Sequence, residues 1–301
     1  MSSTQERRAT YKFRSFCWKF VRKINKTATI RTKQGLLTVD TADRYIAKSL
    51  YCHREYEQDL MSRVAEHLRA VKLAPAKGTG TFVDIGANMG VTTVGMLYNK
   101  EYERAVAVEP DPRNFKLLER NVTQNGFGNR VICIESALSD RAGKIEFELS
   151  DTNFGDHRIR AAGTARANGE IYQESKRRVI EVATRPLDEL WASLPAEFTK
   201  SLAVIWMDVQ GFEASVIRGG MQLFRTPVAL STEIWPYGIQ RSGISAFDFC
   251  ELIKSIWPYY WMLRGERRNK RFVRYPTSIF ETVFDELGFD GAYNNVLLTH
   301  R

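Results

Sequence analysis

The sequence predicts an α/β protein with a mostly parallel sheet, helices on both of its faces, and a helical N-terminal extension. Three observations carry this. Residues 81–94, TFVDIGANMGVTTV, read as a buried strand, a glycine turn and the first turn of a helix. Residues 104–109, RAVAVE, form a second short apolar strand ending in an acid, Glu109, 25 residues after Asp84. From there to the C-terminus, short apolar runs alternate with helical patterns, as in repeated βα units.

At 301 residues the chain can hold one full-sized domain, set at 41–301, behind a basic extension at 1–40. The extension opens with a polar stretch to Thr10. Residues 11–24, YKFRSFCWKFVRKI, then place Phe13, Phe16, Phe20 and Ile24 on one helical face, with Arg14, Lys19, Arg22 and Lys23 mostly elsewhere. Two readings stay open: the aromatic face docks on the domain, or it lies on a membrane surface. Residues 28–39 form a hairpin with its turn at Gln34-Gly35. Residues 40–73 are mainly helical, with Ile46, Leu50, Leu60, Val64 and Leu68 as the buried stripe.

After Glu109, Pro110-Asp111-Pro112 starts a helix that Asn125-Gly126 ends. Strands follow at 131–134 and 145–149. Residues 150–178 are polar and aperiodic, hence a functional loop or a flexible insertion. Strands at 179–183, 202–209 and 228–233 come next, the last two ending near Asp208 and Glu233. A helix at 245–256, a strand at 259–263, a helix at 278–287 and a final strand at 295–299 complete the pattern.

Composition excludes several classes. No uninterrupted apolar run is long enough to span a bilayer, and the basic N-terminus lacks the apolar core of a secretory signal. Cys17, Cys52, Cys133 and Cys250 are scattered, which points to reduced thiols in the cytoplasm and to no metal site. The net charge of +9 is local: the first 33 residues hold ten Lys or Arg against one acid, Glu6. Such a patch suits anionic lipid, an acidic glycan or nucleic acid, the last being disfavoured.

The glycine turn carries the chemistry. A strand feeding a helix through Gly86, Asn88 and Gly90 brings backbone N–H groups to one point, the ligand crevice of an open α/β sheet. An acid at the next strand tip, Glu109, suits two ribose hydroxyls. The turn lacks the G-x-G-x-x-G spacing of dinucleotide sites and the G-K-[ST] ending of a P-loop. FVDIGANMG, VEPDP, ESALSDRAGKIEF, RPLDEL and IWMDVQGFEASVIRGG, in that order, resemble the FkbM-type family of methyltransferases that use S-adenosyl-L-methionine (SAM). The resemblance implies a Rossmann-like class I fold with a seven-stranded sheet. It also implies methyl transfer to a hydroxyl of a sugar, glycan or small metabolite. By resemblance, Asp84, Gly86, Asn88 and Gly90 hold the methionine end of SAM, Glu109 and Pro110 border the ribose, and Ser136 and Ala137 border the adenine. Asp208 matches the acid after the fourth strand, but Trp206 and Gln210 replace the family's usual lysine and glutamate. Asp208 is the first candidate for the group that takes the acceptor's proton. His157 and Glu233 are the other two. Trp235, Tyr237 and Trp257 are candidate sugar platforms, and Arg158, Arg160, Arg177 and Arg178 candidate anion ligands, each with packing or solvation as the competing role. An NAD-dependent oxidoreductase and a non-catalytic SAM- or nucleic-acid-binding module are the alternative functions.

Overall fold

The computed structural model describes residues 3–160, 170–263 and 272–301. Part of the aperiodic segment, 161–169, therefore lies outside the described residues. Helix α1 (Ser3–Ile24) precedes a hairpin of β1 (Thr27–Thr32) and β2 (Gly35–Asp40), then helices α2 (Ile46–His53) and α3 (Gln58–Ala70). Next come β3 (Thr81–Ile85), α4 (Val91–Tyr98), β4 (Arg104–Val108), α5 (Pro112–Gln124) and β5 (Val131–Ile134). The chain then builds β6 (Ala137–Leu138), β7 (Gly143–Leu149), β8 (Arg158–Ile159) and β9 (Arg178–Arg185), followed by α6 (Leu187–Ser193) and α7 (Ala196–Thr199). It continues through β10 (Leu202–Met207), α8 (Glu213–Gly219), α9 (Met221–Phe224), β11 (Leu230–Ile234), α10 (Pro236–Arg241) and α11 (Ala246–Lys254). It closes with β12 (Tyr259–Met262), β13 (Val273–Pro276), α12 (Glu281–Leu287) and β14 (Asn294–Thr299).

The main sheet runs β13-β12-β14-β11-β10-β3-β4-β5. The five strands from β11 to β5 are parallel, while β14 runs antiparallel between β11 and β12. From β3 the chain steps outward to β4 and β5, then returns to lay β10 and β11 on the other side. The carboxyl ends of β3 and β10 thus face each other at the point where strand order reverses, where open α/β sheets bind ligands. This is the Rossmann-like class I fold, with eight strands rather than seven. The extra strand, β13, pairs antiparallel on the outer edge of β12. Its mostly exposed residues carry no alternation, and it ends in Pro276, which an edge tolerates and a central strand does not. The strands at 145–149 and 179–183 belong to a separate small sheet, β6-β9-β7-β8.

Both faces of the parallel core are buried, so successive residues feed opposite layers. Phe82, Val204 and Trp206 join a core with α3, α4 and the hairpin, whereas Val83, Ile205 and Met207 join one with α6, α8 and α11. Trp18, Ile30, Leu37 and Val39 of the N-terminal segment belong to the first of these cores. Trp257, a sequence candidate for a sugar platform, is fully buried in the second.

Side-chain amides of α5 and of Asn125, which caps it, complete the outer edge of β2. Asn125 Oδ1 accepts from Leu36 N (2.9 Å) and Asn121 Oδ1 from Thr38 N (2.6 Å). Asn121 Nδ2 donates to Thr38 O (3.0 Å) and to Met89 O in the glycine turn (2.7 Å). Asn121 is fully buried, so truncation leaves backbone donors and acceptors without partners. Asn121→Ala is expected to lower unfolding free energy by about 2–4 kcal/mol in urea titrations. A loss below about 0.5 kcal/mol would show that water replaces the amide.

Candidate active site

The two turns at the switch point share an unusual backbone. After β3, Gly86 (φ 85°), Asn88 (φ 51°) and Gly90 (φ 83°) are left-handed, and after β10 so are Gln210 (φ 53°) and Gly211 (φ 99°). Gly86 has no alternative: a Cβ there would lie 1.9 Å from the carbonyl oxygen of Asp208. A Cβ on Gly211 would lie 2.3 Å from the backbone of Gly238 at the start of α10. Asn88 and Gln210 hold a conformation costly for non-glycine residues, and each is tied by side-chain hydrogen bonds.

Around the first turn lies an inner slot lined by Gly86, Asn88, Val108, Glu109, Pro110, Ser136, Ala137, Leu138, Phe154, His157 and Asp208. Its floor is Glu109. Its two carboxylate oxygens accept from Asn88 N (2.8 Å) and Asp111 N (2.9 Å), leaving each oxygen further acceptor capacity. Burial pushes this carboxyl up to about 8. Asp84 does not line the slot. It lines the larger cleft beyond, accepts from Thr93 Oγ1 of α4, and is pushed up to about 7 by burial. Asn88 Nδ2 donates to Phe154 O (2.8 Å), so the asparagine anchors the 150–157 loop. Ser136 Oγ is turned toward the Ala137 and Ala183 carbonyls.

His157 is buried in the wall of the slot, and both ring nitrogens are engaged. Nδ1 accepts from Ser150 N (2.9 Å), and Nε2 lies 3.2 Å from Asp111 Oδ2, a polar contact bent from ideal hydrogen-bond geometry. Burial works against the Asp111 carboxylate, yet its contacts with His157 and Arg113 hold it below the usual range. A ring held this way has no nitrogen open to an acceptor hydroxyl.

Beyond the slot opens a cleft of about 550 Å³, lined by Asp208, Glu233, Glu57, Asp156 and the aromatic rings of Tyr45, Tyr56, Tyr172, Trp206, Trp235 and Tyr293. Asp208 lies where slot and cleft meet. Burial, with Glu57 and Asp156 nearby, pushes its carboxyl up to about 6, against the opposing hydrogen bond from Gln210. Its open side to the cleft lets water screen part of that rise. Gln210 Nε2 donates to Asp208 Oδ1 (2.6 Å) and lies 3.4 Å from Glu233 Oε1, bridging the two acids. A glutamate there would add a third carboxylate; the amide donates where an acid would repel. Trp206, in the lysine's place, is packed into the core and borders the cleft.

Of the four candidate arginines, Arg158 and Arg177 are taken up by Asp156 rather than open to an anion. Arg158 is buried, 3.1 Å from Asp156 and 4.9 Å over the Trp235 ring, and burial lowers its guanidinium to about 10. Arg177 pairs with the Asp156 carboxylate and donates to Asp156 O (2.6 Å). Arg160 reaches Glu146 and Glu148, and Arg178 is exposed on β9. The Tyr237 hydroxyl donates a hydrogen bond to Glu174 Oε1 (2.7 Å) and belongs to this scaffold rather than to the cleft.

Sequence reasoning missed the wall made by Tyr45, Ile46, Tyr56 and Glu57. Gln34, fully buried at the hairpin turn, exchanges hydrogen bonds with the backbone of Tyr56 (2.9 and 2.8 Å). Asp43 accepts from Tyr45 N and Ala47 N and from Phe154 N of the slot loop. The only local signal was polar: Gln34 and Asp43 are short-range turn residues whose partners lie far along the chain.

A parallel core with a ribose-competent acid beside a glycine turn defines a nucleoside-binding α/β enzyme, and its reversal point and antiparallel β14 make it a class I methyltransferase. A family model, the methyltransferase FkbM domain, matches residues 84–255, and the chain belongs to this family. SAM is its methyl donor, and the oxidoreductase and non-catalytic readings give way. The 2-O-methyltransferase NoeI of Sinorhizobium fredii (strain NBRC 101917 / NGR234) is 31% identical over 176 residues, 57% of this chain and 70% of that protein. Among solved structures, the precorrin-6y C5,15-methyltransferase of Geobacter metallireducens GS-15 aligns with TM-score 0.38 at 9% identity, over 78% of this chain and 88% of that one. The tRNA m1G37 methyltransferase of M. jannaschii aligns with TM-score 0.42 at 9% identity, over 91% of this chain and 56% of that one. Likeness at this level carries no argument; the fold assignment rests on the strand order itself.

Three buried acids and the cleft-facing Asp208 set a pH dependence. Asp84 and Glu213 are pushed up to about 7, Asp208 to about 6 and Glu109 to about 8, from unfolded values of 3.8 to 4.5. Between those limits the folded protein binds more protons than the unfolded chain, so stability falls as pH rises. The ligand-free thermal midpoint is expected to decline from about pH 5 to about pH 8 and then level off. A midpoint rising across that range would contradict these environments.

Proposed function

We propose that this enzyme methylates a hydroxyl of a sugar or glycan, working in the cytoplasm at the periphery of a membrane. The observation that carries the acceptor reading is the position of Asp208, at the junction between the nucleoside slot and an aromatic, carboxylate-lined cleft. The slot fits the cofactor: Glu109 offers acceptor capacity for ribose hydroxyls, Gly86 has no side chain to obstruct it, and Val108, Leu138 and Phe154 supply apolar walls beside Ser136 and Ala137. Asn88 lines the slot, Asp84 lines the adjoining cleft, and Gly90 shapes the turn between them. When bound, SAM supplies an electrophilic methyl group.

The protein's own task is to place the acceptor oxygen and remove its proton. Asp208 orients the hydroxyl and takes that proton; its raised carboxyl still ionises below neutrality, so it is ready to accept at pH 7. Gln210 keeps Asp208 and Glu233 together without adding negative charge, and Glu233 accepts from a neighbouring acceptor hydroxyl. Aromatic rings of Tyr45 and Tyr172 offer apolar faces, and carboxylates offer acceptors, the pairing that suits a polyhydroxylated ring. The relative named as a 2-O-methyltransferase supports oxygen as the methylated atom. We assign His157 a positioning role, bracing the slot wall against Asp111. The four free thiols support a reducing compartment.

Two experiments test this. Glu109→Ala should weaken binding of S-adenosylhomocysteine at least about tenfold by calorimetry, through loss of ribose bonds and of the turn's partner. Unchanged affinity would remove Glu109 from the cofactor site. Asp208→Asn should lower methyl transfer to sugar hydroxyls by about a hundredfold or more, with S-adenosylhomocysteine affinity within about threefold of wild type. Transfer within about threefold of wild type would remove the role given to Asp208.

A further inference from the structure

Helix α1 has two working faces. On one, Trp18 is buried and packs on Tyr51 (ring centroids 4.9 Å), and Tyr11 stacks on His53 (4.8 Å). Arg14 Nη1 donates to Cys52 O (3.1 Å), and Arg22 Nε donates to Thr41 O (2.7 Å). These contacts fix the rotation of the helix against α2. At about 100° per residue, Phe13, Phe16, Phe20 and Ile24 fall roughly opposite Trp18. They are 69%, 58%, 51% and 79% exposed. Lys12, Lys19 and Lys23, all exposed, run along one side of this stripe. The aromatic face therefore does not dock on the domain; the domain grips the other face and turns the phenylalanines outward.

Single exposed apolar residues need no account, but a contiguous stripe of three phenylalanines and an isoleucine on a fixed helix does. No helix among the described residues is long and apolar enough to cross a membrane. An exposed aromatic face bordered by lysines matches a helix lying in the interface of an anionic bilayer: rings enter the acyl boundary and ammonium groups meet lipid phosphates. We propose that Phe13, Phe16, Phe20 and Ile24, with Lys12, Lys19 and Lys23, form a docking surface for an anionic lipid bilayer. The consequence reaches the cleft. Helix α2, which α1 grips, begins at Ile46, and Tyr45 and Ile46 line the acceptor cleft. Bilayer docking then holds that wall at a fixed setting relative to the lipid surface. This inference stands on α1 alone and is independent of which acceptor is methylated.

The test is flotation of the purified full-length chain with vesicles of phosphatidylcholine alone or mixed with phosphatidylglycerol. Phe16→Ser/Phe20→Ser and Lys12→Glu/Lys19→Glu/Lys23→Glu change only exposed side chains. S-adenosylhomocysteine affinity and thermal midpoint report that each variant is folded. The wild type should partition onto the mixed vesicles and lose at least about tenfold in partitioning on neutral vesicles, at high salt and in both variants. No flotation on the mixed vesicles would overturn the proposal, as would flotation unaffected by the variants. Sedimentation showing a dimer that Phe16→Ser/Phe20→Ser dissociates, without lipid binding, would assign the face to a second copy instead. Retention on RNA without retention on vesicles would likewise overturn it.

Discussion

The contact on which this site depends is the approach of Gly86 to the carbonyl of Asp208. Two parallel strands end side by side, and the chain leaves each through a left-handed turn. Only the absence of a Cβ at Gly86 lets the turns pass at that distance. With the turns locked, Asn88 N points at Glu109, Gln210 reaches Asp208, and the inner slot opens directly into the aromatic, carboxylate-lined cleft. An intervening side chain would separate the two halves of a reaction that requires the reacting atoms in line.

The second constraint comes from the N-terminal segment, which is built into the domain rather than appended to it. Amides on α5 and its cap Asn125 pair the edge of β2, Gln34 at the hairpin turn holds Tyr56, and Asp43 spans the gap to the Phe154 loop. Through these bonds the first 57 residues supply a wall of the cleft. The same segment presents the lysine-bordered phenylalanine stripe on its outer side.

Electrostatics follow from this enclosure. Three buried acids, Asp84, Glu109 and Glu213, surround the switch point with their carboxyls raised by burial, and Gln210 separates two acids at the cleft with an amide. On the far wall, Arg158 and Arg177 hold Asp156, while Tyr237 holds Glu174. Arg158 and Arg177 are thus consumed in bracing the loop, and the cleft itself presents mainly carboxylates and aromatic rings.

The sequence by itself determined the parallel core, the glycine turn, the strand-tip acids Glu109 and Asp208, and the amphipathic pattern of α1. Each is written in local periodicity or in a turn whose residue types have few alternatives. Other features only the tertiary structure decided. His157 looked like a free imidazole until Ser150 and Asp111 occupied its nitrogens, and four arginines looked solvated until burial paired two of them with Asp156. The edge strand β13 had no periodicity to betray it. Asp84 shares the motif of the turn but lines the cleft rather than the slot. Which face of α1 meets the domain was set by Trp18, a residue outside the apolar stripe. The reason is common to all: hydrophobic period fixes a face, whereas a polar side chain's partner lies at a distance along the chain that spacing does not encode.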